Sequence, residues 1–131
     1  PKPGDTSYLC VMDRHGNAFS ATPSDGSDKT PIIPGVGILC SGRGTQSWSD
    51  SSHPSSVAPG KRPRLTPNPA LALKGGKAYM PFGTPGGDVQ IQAMIQVFLN
   101  IQVFGMAVQD AVEAPRFASY SFPGSFEPHE Y

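Results

Sequence analysis

The chain has no excess of either charge. Ten Lys and Arg offset ten Asp and Glu over 131 residues, and charged side chains make up only 15% of the composition. With no basic stripe, nucleic acid is a poor partner. Cysteine is scarce as well. Cys10 and Cys40 each follow a leucine and form no Cys-x-x-Cys, so they read as two buried thiols rather than a disulfide or ligand pair, and they fix no compartment. The three histidines, His15, His53 and His129, sit in turn or loop contexts, and no His or Cys pair has metal-ligand spacing. No metal and no cofactor are expected. Long apolar runs are missing too. The stretch from Ala93 to Phe104 is interrupted by Gln96, Asn100 and Gln102, too short and too polar to span a bilayer. Pro1-Lys2-Pro3-Gly4 carries no apolar signal-peptide core.

What is abundant is glycine and proline, 15 of each. That density predicts many turns in a chain of one domain's length. Ser7 to Asp13 reads as a strand, and its near-continuous apolar run fits one buried on both faces. Arg14-His15-Gly16-Asn17 is a tight turn, and Asn17 to Thr22 returns as a second strand. Ile32 to Cys40 carries another short strand, broken by Pro34 and Gly35. Residues 41–69 differ in kind, with seven Ser, five Pro and three Gly among 29 positions; so long a loop is usually functional or disordered. Ala70 to Leu73 and Ala78 to Phe82 flank Lys74-Gly75-Gly76-Lys77 as a second hairpin. Asp88 is a plausible N-cap for a helix to about Phe104, with Ile91, Met94, Ile95, Phe98 and Ile101 as its apolar set and Gln92, Gln96 and Asn100 as a polar stripe. Gly105 suits the position after its end. A short helix from Val108 to Ala114 stops at Pro115. Two hairpins followed by two helices predict an α+β fold, helices covering a mainly antiparallel sheet.

Two segments could carry chemistry. Gly83-Thr84-Pro85-Gly86-Gly87 precedes the long helix. Glycines let backbone approach a ligand closely, and a helix start offers unpaired N–H groups to an oxyanion; the same residues also suit a plain strand-to-helix turn. No Gly-Lys-Ser/Thr follows, which argues against a phosphate loop. Asp5-Thr6-Ser7 precedes the first strand. A threonine hydroxyl needs a base, and a free α-amine on Thr6 would supply one if the chain were cut before it. On local sequence alone Thr6 is an ordinary hydroxyl at a strand start. There is no Gly-x-Ser-x-Gly elbow for a serine triad. Arg43, Lys61, Arg62 and Arg64 read as solvated loop charges rather than anion ligands.

In order, Thr6-Ser7, Val11-Met12-Asp13, Gly16-Asn17-Ala18, Gly35-Val36-Gly37-Ile38-Leu39, Ala58-Pro59-Gly60-Lys61-Arg62-Pro63, Thr84-Pro85-Gly86-Gly87, Phe104-Gly105-Met106 and Ala111-Val112-Glu113-Ala114-Pro115-Arg116-Phe117 resemble the small-subunit region of the gamma-glutamyltranspeptidase family. The match runs from about Thr6 to Phe117. The resemblance implies an N-terminal-nucleophile hydrolase: a four-layer αββα sandwich made as a proenzyme, of which residues 1–131 would be part of the small-subunit domain and residues 1–5 a remnant upstream of a self-cleavage site at Asp5–Thr6. It implies a gamma-glutamyltransferase-like amidohydrolase or acyltransferase acting on γ-glutamyl, glutathione-like amides. Thr6 would be its nucleophile, the Ser24 hydroxyl would assist it, and the N–H groups of Gly86 and Gly87 would hold the oxyanion. The partner it implies is the large-subunit region of the same precursor, without which this chain alone is expected to be inactive.

The sequence departs from the family pattern where the substrate would bind. Gly26 stands where typical members place an asparagine. Ser41-Gly42-Arg43-Gly44-Thr45-Gln46 replaces a patch that carries a carboxylate, and Leu65-Thr66 replaces paired serines. A desolvated ammonium needs an anionic or carbonyl-rich partner, so the changes point toward another acyl group, with Arg43, Gln46 and Thr66 as substrate-binding candidates. Arg43 could attract a carboxylate, as would suit a cephalosporin-acylase-like or oxamate-type amidohydrolase. A non-catalytic assembly partner is the reading outside the enzyme class.

Overall fold

The computed structural model describes residues 6–25, 30–126 and 129. Strands β1 (Leu9–Met12) and β2 (Ala18–Ala21) form one antiparallel hairpin, and β3 (Ala70–Lys74) and β4 (Lys77–Phe82) form a second. Helices α1 (Gln90–Gln102) and α2 (Val108–Glu113) follow. The result is an α+β arrangement of two two-stranded antiparallel sheets and two helices.

The first turn is built by one carboxylate. Asp13 accepts the backbone N–H groups of His15 (2.8 Å) and Asn17 (2.9 Å) and the Asn17 side-chain amide (2.7 Å). Gly16 takes φ 84°, where a Cβ would be penalised. The second hairpin closes at Gly75 and Gly76, φ 58° and 77°, the pair of positive values that a two-residue turn of matching twist requires. A register shift between Ala72 and Leu73 bends β3.

The expected strand from Ile32 to Cys40 does not form. Ile32 and Leu39 make an isolated antiparallel bridge, with Ile33 N–H bonded to Ile38 O at 2.8 Å around a tight loop. Pro34 has no N–H to give a ladder, and Gly35 and Gly37 lie at φ 79° and 70°. The first strand is also shorter than expected, and it is exposed on both faces rather than buried on both. Its Cys10 is exposed and Cys40 only half-buried; both are free thiols.

Helix α1 lies over the second hairpin, with the rings of Phe82 and Phe98 stacked at 5.3 Å. Met94 is buried and receives a contact from Asn68 Nδ2 at 3.7 Å. Ile91 and Ile95, expected in the apolar set, face outward with Leu99, while Ala93, Val97, Phe98 and Ile101 line the inner side. Asp88 is not the helix cap. Val89 holds that position, and Asp88 sits in a 3₁₀ turn, Gly87–Val89. The only buried apolar side chains among the described residues are Met94 and Ala111, and wide apolar surface stays open, including Val11 and Phe19 on one hairpin face.

Candidate active site

The hairpin register brings Thr6 to its neighbour. Leu9 pairs with Ala21, and Ser7 N–H bonds to Pro23 O at 2.9 Å, so the same pairing carried outward sets Thr6 opposite Ser24. Their hydroxyls meet, Thr6 Oγ1 to Ser24 Oγ, at 2.5 Å.

The second contributor is the start of the proline- and serine-rich loop, which is ordered rather than featureless. Gly42–Gln46 forms a 3₁₀ turn. Asp25 docks it: Asp25 Oδ1 accepts Gly42 N–H and Ser41 O–H, both at 3.0 Å. Ser41 Oγ in turn accepts Arg43 N–H at 3.2 Å. These bonds turn the Arg43 guanidinium onto Ser24. Arg43 Nε donates to Ser24 O at 2.5 Å, one terminal nitrogen (Nη2) donates to Ser24 Oγ, and the other (Nη1) reaches Gln46 Oε1 at 3.4 Å. Gln46, fully buried, passes the chain on through Nε2 to Thr66 Oγ1 at 3.4 Å. The Phe126 ring lies 5.7 Å from the guanidinium carbon, within cation–π reach. Five candidates, Thr6, Ser24, Arg43, Gln46 and Thr66, thus form one continuous polar chain.

Gly86 and Gly87 are not bonded into that chain. They occupy the turn ahead of α1 at φ 139° and 55°, and Gly86 is exposed. Their link to the first strand is steric. A Cβ on Gly83 would lie 2.4 Å from two ring carbons of Tyr8, two residues along from Thr6. Tyr8 OH meets Ser20 Oγ at 3.0 Å, and burial, the largest influence, pushes its phenol pKa up. Beside them an open apolar pocket of about 430 Å³ runs between β4, α1 and α2, with Thr84 and Phe82 at its wall. Asp5 and Gly26 lie outside the described residues.

Sequence reasoning missed several residues here. Nothing in the local sequence marks Asp25, because the Ser41-Gly42 pair that it docks lies 16 and 17 residues further along the chain. Asp88 accepts Ser125 N–H at 3.0 Å and the Ser125 hydroxyl, and lies 3.9 Å from Arg64 Nη2. Gln90 is 1% exposed, packs under Gly86, and neither end of its amide has a partner among the described residues. Trp48 is sandwiched between His53 and His129, each ring centroid at 4.0 Å. No group of three His, Cys, Asp or Glu able to hold a metal exists among the described residues, nor is any described helix long and apolar enough to cross a membrane.

The family model described as gamma-glutamyltranspeptidase matches residues 1–129. The chain belongs to the gamma-glutamyltranspeptidase family. It is 32% identical over 133 residues to the glutathione hydrolase proenzyme of Pseudomonas sp. strain A14, covering 92% of this chain and 23% of that protein. It is 33% identical over 117 residues to the oxamate amidohydrolase proenzyme of Klebsiella pneumoniae, covering 88% of this chain and 22% of the relative. Among solved structures, the gamma-glutamyltranspeptidase of Pseudomonas nitroreducens in complex with L-DON superposes at TM-score 0.75 and 25% identity, over 88% of this chain and 66% of that one. LmbA2991HD superposes at TM-score 0.85 and 40% identity, over 97% of this chain and 23% of its own. The chain therefore spans less than a quarter of the length of these curated relatives.

Proposed function

We propose that this chain is the nucleophile-bearing part of an N-terminal-nucleophile amidohydrolase or acyltransferase, and that its sheets and helices belong to an αββα sandwich completed by the large-subunit region of the same precursor. The observation that carries this reading is the 2.5 Å contact between the hydroxyls of Thr6 and Ser24, in a chain of a family with proenzyme relatives. After a cut at Asp5–Thr6 the freed α-amine takes the proton from Thr6 Oγ1, and the oxygen attacks the carbonyl carbon of a substrate amide. The N–H groups of Gly86 and Gly87 hold the oxyanion. The proton passes to the departing amine, leaving an ester on Thr6 that water or an acceptor amine resolves. The acyl group sits against Arg43, Gln46 and Thr66, and the substrate is a γ-glutamyl, glutathione-like amide. No cofactor is required for this chemistry.

A second acyl specificity is favoured by one observation. The turn Gly42–Gln46 offers a guanidinium and no carboxylate, which suits an acyl chain ending in an anion better than one carrying an ammonium, as in an oxamate-type or cephalosporin-acylase-like enzyme.

The test is intact mass of the precursor bearing this chain. A product beginning at Thr6, absent in Thr6→Ala, supports the nucleophile. An uncut chain with no amidase activity overturns it and leaves a non-catalytic relative. Paired assays on a γ-glutamyl anilide and its des-amino glutaryl analogue then decide the acyl group.

A further inference from the structure

Arg43 stands out because it meets Ser24 twice, at the carbonyl through Nε and at the hydroxyl through Nη2, in a nearly buried setting where it is 9% exposed. A guanidinium has donors only and stays charged. The Ser24 oxygen that touches Thr6 is therefore also an acceptor of a charged hydrogen bond. Accepting such a bond makes a hydroxyl a stronger donor of its own proton. The favoured order of donation is Arg43 to Ser24, then Ser24 to Thr6 Oγ1. A hydrogen bond donated to Thr6 Oγ1 stabilises its deprotonated form, and it turns the Thr6 proton away from Ser24 and toward whatever base removes it.

We infer that Arg43 is a positioning residue for the nucleophile, one that orders the Ser24–Thr6 hydroxyl pair and so promotes both the cut at Asp5–Thr6 and the later acyl transfer. This rests on the reading of Thr6 as nucleophile. In the cut, Thr6 Oγ1 bonds to the carbonyl carbon of Asp5, the bond from that carbon to Thr6 N breaks, and the hydroxyl proton goes to that nitrogen. Water then hydrolyses the ester to the Asp5 carboxylate and restores the Thr6 hydroxyl. Both steps pass through a partly anionic Thr6 oxygen, so one polarised hydroxyl serves both. The role is separate from acyl recognition, since Nη1 points along the other branch toward Gln46.

The experiment uses the full precursor and follows the cut by intact mass, then kcat and KM on the γ-glutamyl and glutaryl anilides. Arg43→Gln is expected to slow the cut and lower kcat by about ten- to hundredfold, the range a charged hydrogen bond supplies, over and above any rise in KM from the lost contact with the acyl group. Because the effect runs through Ser24, Arg43→Gln added to Ser24→Ala should slow the cut no further. Guanidinium ion at millimolar concentration should restore part of the rate to Arg43→Ala, which a purely structural loss would not allow. Arg43→Lys, which keeps the charge but not the fork, guards against a folding failure of the other variants and should fall between wild type and Arg43→Gln. Wild-type cutting rate and kcat in Arg43→Gln, with only KM raised, would overturn the inference and leave Arg43 a substrate ligand. A wild-type precursor that never cuts would remove the nucleophile reading itself, and this inference with it.

Discussion

Gln96 holds the backbone of Phe117 at both ends of its amide, donating from Nε2 to Phe117 O at 2.8 Å and accepting Phe117 N–H at Oε1 at 3.1 Å. One turn earlier Gln92 does the same to Ser119, at 2.9 and 2.8 Å. Residues four apart on a helix advance about 6.0 Å, and residues two apart on an extended chain advance about 6.6 Å, so two helical amides can imitate a strand edge. Gln96→Leu should lower stability by about 1 kcal/mol and speed hydrogen exchange at the Phe117 amide while leaving Ser119 protected. Exchange measured by NMR on single variants of each glutamine checks this.

Gly83 tolerates no side chain while Tyr8 keeps its place, since a Cβ would sit 2.4 Å from the ring. Gly83→Ala should cost about 1–3 kcal/mol, the usual range for overpacking. In Tyr8→Ala the same change should cost far less. The double-mutant cycle, read by thermal or urea unfolding, measures a coupling between the strand that follows Thr6 and the loop that carries Gly86 and Gly87.

Gln90 predicts the opposite sign. Its amide is buried with neither end paired among the described residues, and an unpaired buried polar group costs about 1–3 kcal/mol. Replacement by an apolar side chain of similar shape should be neutral or stabilising, so Gln90→Leu should equal or exceed the parent in Tm.

The first turn should be acid-sensitive. Hydrogen bonds, chiefly from the Asn17 side chain, hold the Asp13 carboxyl below its ordinary 3.8. A carboxyl depressed in the folded state stabilises that state fully above its unfolded pKa and loses the contribution as pH falls through the lower, folded value. Protection of the Asn17 and His15 amides should therefore persist at pH 5 and decline below about 3.8, with the decline absent in Asp13→Asn. A pH series of exchange rates or amide shifts follows it.

Much of the scaffold was legible locally. Gly16 and the pair Gly75-Gly76 mark turns because only glycine sits easily at their φ values, and the hairpins follow from them. Gly105, at φ 68°, likewise marks the end of the long helix. What was hidden depends on partners far along the chain. Asp88 has the sequence context of a cap, but Ser125, 37 residues away, claims its carboxylate. Ile91 and Ile95 fit an amphipathic period as well as Met94 and Phe98 do, and only the placement of β4 decides which set turns inward. At the site, the family pattern named Thr6 and Ser24, whereas Asp25 could not be found without the 3₁₀ turn it docks. The pairing of Arg43 with Ser24 rests on that same turn.

The Thr6–Ser24 meeting is set by counting from a turn nine residues from either. Alternate residues of a strand face opposite sides, so a single residue inserted at Arg14 or His15 would shift the partner strand by about 3.3 Å and present Pro23 or Asp25 where Ser24 now lies. The length of the loop at Asp13–Asn17 thus decides which side chain faces Thr6: the hairpin acts as a ruler, graduated in single residues.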